Sequence, residues 1–349
     1  MDRMPNVKLS IVVPCYKAER YLPKCLSSLM GQTLQDIEVV AVNDGSPDRC
    51  LSILQEWQER YPQKIQIIDK QNEGMWHARW DGIGVARGEY IGFLDSDDYA
   101  EPNFAELMYT TAKESDADIV VCGFSRTDLD SGRILSQEMC EPRPGFSPIK
   151  EPGRILEING AQWNKIFRAS VLKNMHTLSV TPPVLEDLLF QLLVYLQIRG
   201  SITFVPKSLI HYMVHQGSII KSVSEEQVDE TFAAFVETRD LYEAAGTDIA
   251  LLQAIDATAF LHIGISLNYR LSYTDCDLGR AVRRSKLFLD EYFPLWRDSP
   301  YICGRYARLH GPTYRRLLIS SRMFRLGLMV PFLTTYRIVT DLAQFDIKW

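Results

Sequence analysis

Three carboxylates crowd one short stretch of this chain. Residues 89–99 read Glu-Tyr-Ile-Gly-Phe-Leu-Asp-Ser-Asp-Asp-Tyr, so an apolar run, Tyr90 to Leu94, ends in Asp95, Asp97 and Asp98. Such a run, bounded by Gly88 and a polar cluster, suits a buried strand. Carboxylates at the C-terminal end of such a strand sit where open α/β sheets bind ligands. Two of them at i, i+2 in a turning segment can aim at one point. Like charges that close repel unless a cation lies between them. Hard oxygen ligands select magnesium or manganese, ions that also bridge phosphate oxygens. Taken alone, an Asp-x-Asp is more often a solvated acidic turn, so the surrounding elements decide its meaning.

Those elements alternate. Leu9–Pro14, Ile37–Val42, Ile65–Ile68 and Tyr90–Leu94 are short apolar runs, and helical spacing separates them: Tyr21, Leu22, Cys25, Leu26 and Leu29, then Leu51, Leu54 and Trp57, then Met75–Val85. This is the pattern of a parallel sheet with right-handed crossovers. Each run ends in polar residues, which places the site at the C-terminal edge of the sheet. No Gly-x-Gly-x-x-Gly follows the first strand and no Gly-x-x-x-x-Gly-Lys-Ser/Thr occurs, so neither a nicotinamide cofactor nor a phosphate-binding loop is supported. A further strand is expected over Asp118–Phe124, a long polar loop over Ser125–Pro152, a buried helix from Glu186-Asp187 to about Leu196, and closing strands over Ser201–Pro206 and Leu209–Met213. From Glu225 onward the pattern is helical.

The 349 residues allow two or three structural units, and 46% hydrophobic with 23% charged residues is a globular composition. Seven cysteines with no Cys-x-x-Cys pair fit a reducing cytosol rather than a disulfide framework. No uncharged apolar stretch reaches the roughly 20 residues of a spanning helix. The net charge of −6 hides an asymmetry: residues 280–349 carry thirteen Lys/Arg and five Asp/Glu. An acidic body argues against nucleic acid as a partner, and a basic tail suggests an anionic one, such as a membrane surface. On a helix, Tyr314, Leu317, Leu318, Phe324 and Leu328 share one side with Arg315 and Arg322 at its edge, as in an interfacial helix. Packing on the rest of the chain, or contact between copies in a homo-oligomer, is the alternative for that side.

Several segments, in order, resemble the inverting glycosyltransferases of family 2. These are Ser10-Ile-Val-Val-Pro-Cys-Tyr16, Ser28-Leu29…Gln32-Thr33, Val42-Asn43-Asp44-Gly45-Ser46-Pro47-Asp48, and Asn72-x-Gly74 with Ala78-Arg79…Gly82. They continue with Ala86-Arg-Gly88-Glu-Tyr90…Asp95-Ser-Asp-Asp98, Asn164-Lys165-Ile-Phe-Arg168, Glu186-Asp187 and Tyr212…His215-x-Gly217-Ser218-Ile219. Lys17, Asn43 and Trp80 depart from the family's usual residues. The resemblance implies a glycosyltransferase A fold over residues 1–220, with a nucleotide-binding half (1–110) and an acceptor half (111–220), followed by a helical region over 221–349. It implies a nucleoside-diphosphate sugar donor, most simply a UDP-sugar, a manganese or magnesium ion, and a hydroxyl acceptor on a glycan or lipid-linked glycan.

By the same resemblance, Asp44 contacts the uracil or ribose, Gly45 lets the backbone approach it, and Pro14 and Tyr16 line the base pocket. Asn72, Gly74, Arg79, Asp95 and Ser96 complete the donor site. Asp97, Asp95 and His215 hold the metal, and Asp98 supports them. Asp187 is the general base, with Glu186 sharing the role or binding the acceptor. Trp163, Asn164 and Lys165 are candidates for acceptor contact, with core packing the default for Trp76, Trp80 and Trp163. The implied place of action is the cytoplasm, peripheral to the inner face of the membrane. A non-catalytic subunit supporting a partner transferase is the alternative. A nucleotidyltransferase would want a Gly-rich basic loop where Cys15-Tyr16-Lys17-Ala18-Glu19 stands.

Overall fold

The first four apolar runs become β1 (Leu9–Cys15), β2 (Ile37–Asp44), β3 (Ile65–Lys70) and β4 (Tyr90–Phe93) in the computed structural model, which describes residues 7–214 and 223–343. They pair in parallel in the order β3-β2-β1-β4. The crossovers are α1 (Leu22–Met30), α2 (Cys50–Arg60) and α3 (Met75–Val85). Every residue of β1, β2 and β4 is buried, because helices cover both faces of a parallel sheet. Residues Leu9, Ile11, Val13, Val39 and Ala41 pack with Leu22, Leu26 and Leu29 of α1 in one core. At the opposite end of the strands, buried Glu38 accepts hydrogen bonds from Ser10 Oγ (2.6 Å) and from the Arg87 backbone and Nε (both 2.7 Å), which neutralises the carboxylate without water.

The sheet continues through β5 (Tyr99–Ala100), β6 (Ile119–Asp128), β7 (Ile134–Glu138), β8 (Lys165–Arg168) and β9 (Ile202–Val214). Its full order is β3-β2-β1-β4-β8-β6-β9-β5, with β7 paired to β6. Strands β5, β7 and β8 run against the other six, so the sheet is mostly parallel, as expected. Helices α4 (Phe104–Ser115), α5 (Ala169–Lys173) and α6 (Glu186–Gln197) complete the α/β part. Two readings need correction. The polar segment after Phe124 is not one long loop: β6 runs on to Asp128 and turns back as β7. The two closing strands are one, β9, whose register with β6 shifts where Pro206 and Lys207 interrupt the ladder. Asp118 ties the sheet end together. Its carboxylate accepts from Arg168 Nε (2.8 Å) and from the backbone N–H groups of Arg199 (3.0 Å) and Gly200 (2.6 Å).

The chain divides into two compact units: residues 1–147, 160–176 and 193–216 form one, and 148–159, 177–192 and 217–349 the other. Residues 148–159 and 177–192, read from the sequence as part of the catalytic domain, thus pack with the C-terminal helices. The contacts explain this. The Tyr314 hydroxyl donates to the Gly153 carbonyl (2.9 Å), and a Cβ on Gly153 would lie 2.3 Å from the Tyr301 ring. Ser179 donates its backbone N–H to Glu237 (2.9 Å).

The second unit consists of α7 (Glu225–Ala244), α8 (Ile249–Leu271), α9 (Leu278–Tyr292), α10 (Gly304–His310), α11 (Pro312–Arg325) and α12 (Met329–Ala343). A capping box of Ser224 and Gln227 starts α7. Helix α8 is long and apolar enough to cross a membrane, but 61% of its most apolar stretch is buried, so core packing accounts for its apolarity. Phe260 stacks on Trp296 at 4.5 Å, with Phe324 edge-on to both. Buried Asp256 accepts from Arg239 Nε (3.0 Å) and the Leu295 backbone (2.9 Å); burial pushes its carboxyl up to about 6 against the pull of Arg239. The face of α11 expected to meet a membrane is turned inward: Tyr314, Leu317 and Phe324 are buried, together with Ser320 and Ser321.

Candidate active site

A belt of hydrogen bonds joins the loops at the C-terminal ends of β1, β2 and β3. Asp44 is the last residue of β2, and its two oxygens accept from the backbone N–H groups of Glu73 (2.9 Å) and Gly74 (2.8 Å). A carboxylate there also suits the N-terminal end of α3. Gly45 turns left-handed (φ +60°), and a Cβ on it would stand 2.6 Å from the Asn72 backbone nitrogen. The loop after β1 locks onto the loop after β2. Lys17 N–H donates to Ser46 Oγ (2.8 Å), Glu19 N–H to Asp48 (3.0 Å), and Arg49 N–H to Glu19 (3.0 Å). Burial pushes the Asp48 carboxyl up, but hydrogen bonds from Ser46, Cys50 and Glu19 outweigh it and hold it at about 2. Pro14 is buried, whereas Tyr16 and Asn72 are exposed around this belt. Lys17 itself has φ 52°, an uncommon conformation for a side chain of its size.

Gly45→Ala is therefore expected to destabilise the protein. The left-handed backbone alone costs about 1–2 kcal/mol for a residue with a Cβ, and the approach to Asn72 adds to it. A thermal melt should show a fall of several degrees. An unchanged melt would mean that the close approach is not needed.

The carboxylate turn follows β4. Asp95 and Asp97 are half-buried; Ser96 and Asp98 are buried. The turn is closed by the Asp98 N–H donating to the Asp95 carbonyl (3.0 Å). Arg79, buried on α3, brings its guanidinium 3.3 Å from Asp95 and so links the third crossover to the end of β4. Asp98 accepts from the Met213 N–H at 2.8 Å, which ties the turn to the end of β9, while its other oxygen has no partner among the described residues. Burial, then the charges of Asp97 and Asp95, drives the Asp98 carboxyl well above the usual carboxylate range.

This donor set fits a divalent cation: hard oxygens, negative charge packed closely, and a buried oxygen left without a partner. Among the described residues, no three His, Cys, Asp or Glu side chains enclose an ion by themselves.

Glu186 and Asp187 are half-exposed in the first turn of α6, within the second unit. Leu185, just before them, is buried with φ 57°, a genuine outlier for a bulky residue. His215 lies outside the described residues. The acceptor contact expected of Trp163, Asn164 and Lys165 gives way to a framework role. Trp163 is buried, stacked on Tyr212 at 5.2 Å and edge-on to Phe124 at 4.6 Å. Asn164 Nδ2 donates to the Cys122 carbonyl (2.8 Å), and Lys165 Nζ to Asn164 Oδ1 (3.0 Å) and the Ala161 carbonyl, all without exposure to solvent. Sequence reasoning missed the tie between Asp98 and Met213. The charge of Asp98 beside two other acids was visible; its partner, 115 residues away, was not.

Comparison with known proteins defines the class. The fold is similar to that of TarS 1–349 from S. aureus, solved in complex with UDP-GlcNAc. The TM-score is 0.67 at 21% identity, over 92% of each chain. It also resembles the mannosyltransferase PcManGT from Pyrobaculum calidifontis, solved with GDP-Man and Mn2+. There the TM-score is 0.52 at 15% identity, over 99% of this chain and 91% of that one. This is the glycosyltransferase A fold. In sequence, residues 10–175 match the model "Glycosyl transferase family 2". The Bacillus subtilis protein named "Putative glycosyltransferase EpsH" is 31% identical over 257 residues, 69% of this chain and 72% of its own. The chain belongs to glycosyltransferase family 2, and it is a glycosyltransferase.

Proposed function

We propose that this protein transfers a sugar, with inversion, from a UDP-sugar to a hydroxyl of a glycan or lipid-linked glycan, by direct displacement. The observation that carries the reading is the belt at the sheet edge. Asp44 grips the turn before α3, Arg79 of α3 reaches Asp95, and three strand ends thereby converge beside two half-buried carboxylates. Family membership and the UDP-GlcNAc and GDP-Man complexes of structural neighbours support a nucleotide-sugar donor.

Tyr16 and Pro14 would flank the base, with Asp44 beside it; Asn72, Gly74 and Ser96 would complete the donor contacts. Asp95 and Asp97 would hold manganese or magnesium, with His215 a further ligand. When bound, the cation offsets negative charge on the departing diphosphate. Arg79, fixed near Asp95, adds a permanent positive charge at the same place. Asp187 would take the proton of the acceptor hydroxyl as that oxygen attacks the anomeric carbon from the face opposite the leaving group. Its place in the first turn of α6, behind the strained Leu185, supports a site held under constraint rather than a simple cap. Glu186 would orient the acceptor.

A panel of UDP-, GDP- and CDP-sugars incubated with the protein and Mn2+ tests this. UDP should be released fastest, and from a hexose or N-acetylhexosamine donor. Release of no nucleotide from any donor would overturn the reading in favour of a non-catalytic subunit.

A further inference from the structure

We infer that the outward face of α11, with the exposed end of α10, rests on an anionic lipid surface. Tyr314, Leu317, Ser320, Ser321 and Phe324 take the inward side of α11. At 100° per residue, the side left outward carries Arg315, Ile319, Arg322 and, just past the helix end, Leu326: one stripe at i, i+4, i+7 and i+11. Its aliphatic members are uncovered, with Ile319 49% and Leu326 68% exposed, and Leu309 at the end of α10 is 72% exposed. The cations lack acidic partners, although Arg308 Nε donates to the Gly304 carbonyl of its own helix (3.3 Å). Arg305, Arg308, Arg315 and Arg322 are exposed and make no ion pair among the described residues. From Ser299 to Thr340 the sequence has seven arginines and no Asp or Glu.

The contrast with α9 gives this face its meaning. Two of the three arginines there have acidic partners: Arg284 pairs with Asp229, and Arg280 lies 3.8 Å from Glu225. The shallow groove of about 440 Å³ beside them also includes Glu291. Most of the arginine charge on α9 has an acidic neighbour; Arg305 and Arg308 of α10 and Arg315 and Arg322 of α11 have none among the described residues, while Arg325 is held by the Arg297 carbonyl.

A soluble polyanion needs only the arginines. A face that interleaves guanidinium groups with bare Ile and Leu side chains matches anionic headgroups lying above hydrocarbon, into which the aliphatic groups insert while the arginines reach the phosphates. The stripe includes none of the residues assigned to sugar transfer, so altering it leaves donor turnover intact.

Flotation of the full chain with phosphatidylcholine vesicles containing phosphatidylglycerol, against phosphatidylcholine alone, tests the inference. The protein should rise with the anionic vesicles at low salt and be released as salt increases. At about fivefold per arginine, Arg315→Glu with Arg322→Glu should weaken binding by at least roughly 25-fold. Ile319→Asp with Leu326→Asp should abolish flotation. Both pairs should keep the wild-type melting temperature and UDP-sugar hydrolysis. Equal binding to neutral vesicles, or no binding to anionic ones at low salt, overturns the inference. So does an Ile319→Asp/Leu326→Asp protein that floats like the wild type, since the face would then read charge alone.

Discussion

Asp187→Asn is expected to lower sugar transfer by about 10²–10⁴-fold, the range that a positioned general base supplies. The amide fills the same space and still hydrogen-bonds, but it cannot accept a proton from the acceptor hydroxyl. The loss should fall on kcat, with donor affinity unchanged, because the role proposed for Asp187 is to take the acceptor's proton and not to hold the donor. Asp187 stands in the first turn of α6, where a carboxylate favours the helix electrostatically. The substitution should therefore cost little more than a few tenths of a kcal/mol in stability. Measuring transfer and UDP affinity side by side separates the roles. Turnover near wild type would remove Asp187 from the mechanism, and Glu186→Gln would then be the variant to examine. A matched loss of donor affinity would mean that Asp187 holds the donor instead.

Asp97→Ala should act in two opposite directions. Transfer should fall by about 10²–10³-fold, since charge stabilisation at a leaving group is worth several kcal/mol, and added metal should not restore it. Without metal, the variant should melt at or above the wild-type temperature. Asp95, Asp97 and Asp98 lie within four residues, and Asp98 is buried with one oxygen unpartnered. Removing one charge relieves repulsion that the fold otherwise sustains. Higher stability with lost function is the mark of a site built for a ligand. A variant that is less stable and fully active would show that Asp97 serves the turn and not the cation.

The parallel half of the sheet was legible because its strands are continuous apolar runs buried on both faces. Leu9–Pro14 against the observed Leu9–Cys15, and Tyr90–Leu94 against Tyr90–Phe93, differ only at their ends. The other half was harder for identifiable reasons. Strand β8 is four residues, two of them cations, Lys165 and Arg168, so no apolar run announces it. Strand β9 contains exposed Pro206 and Lys207, which divide one strand into two apparent ones. The apolar side of helix α11 was legible, since Tyr314, Leu317 and Phe324 are buried on it, but whether a membrane or the chain itself covers it was left open. Helical spacing shows which face is apolar and not what covers it; here Tyr314 of that face reaches Gly153.

The proposed donor site shows the same division. Asp44, Gly45, Arg79, Asp95 and Asp97 stood out by type and by position at strand ends, and the fold gathers them at one edge. The signals at Trp163, Asn164 and Lys165 were equally visible, but they belong to the core. A buried lysine satisfied by a carbonyl and an amide cannot be told from an exposed one by its sequence.

Calorimetric titration of UDP into the wild-type protein and into Asp97→Ala, each with and without Mn2+, tests the central claim most directly. The account predicts binding to the wild type that strengthens at least tenfold with Mn2+, and an Asp97→Ala protein in which Mn2+ makes no difference. Failure of the wild type to bind UDP at any Mn2+ concentration, or an undiminished Mn2+ effect in Asp97→Ala, would contradict it.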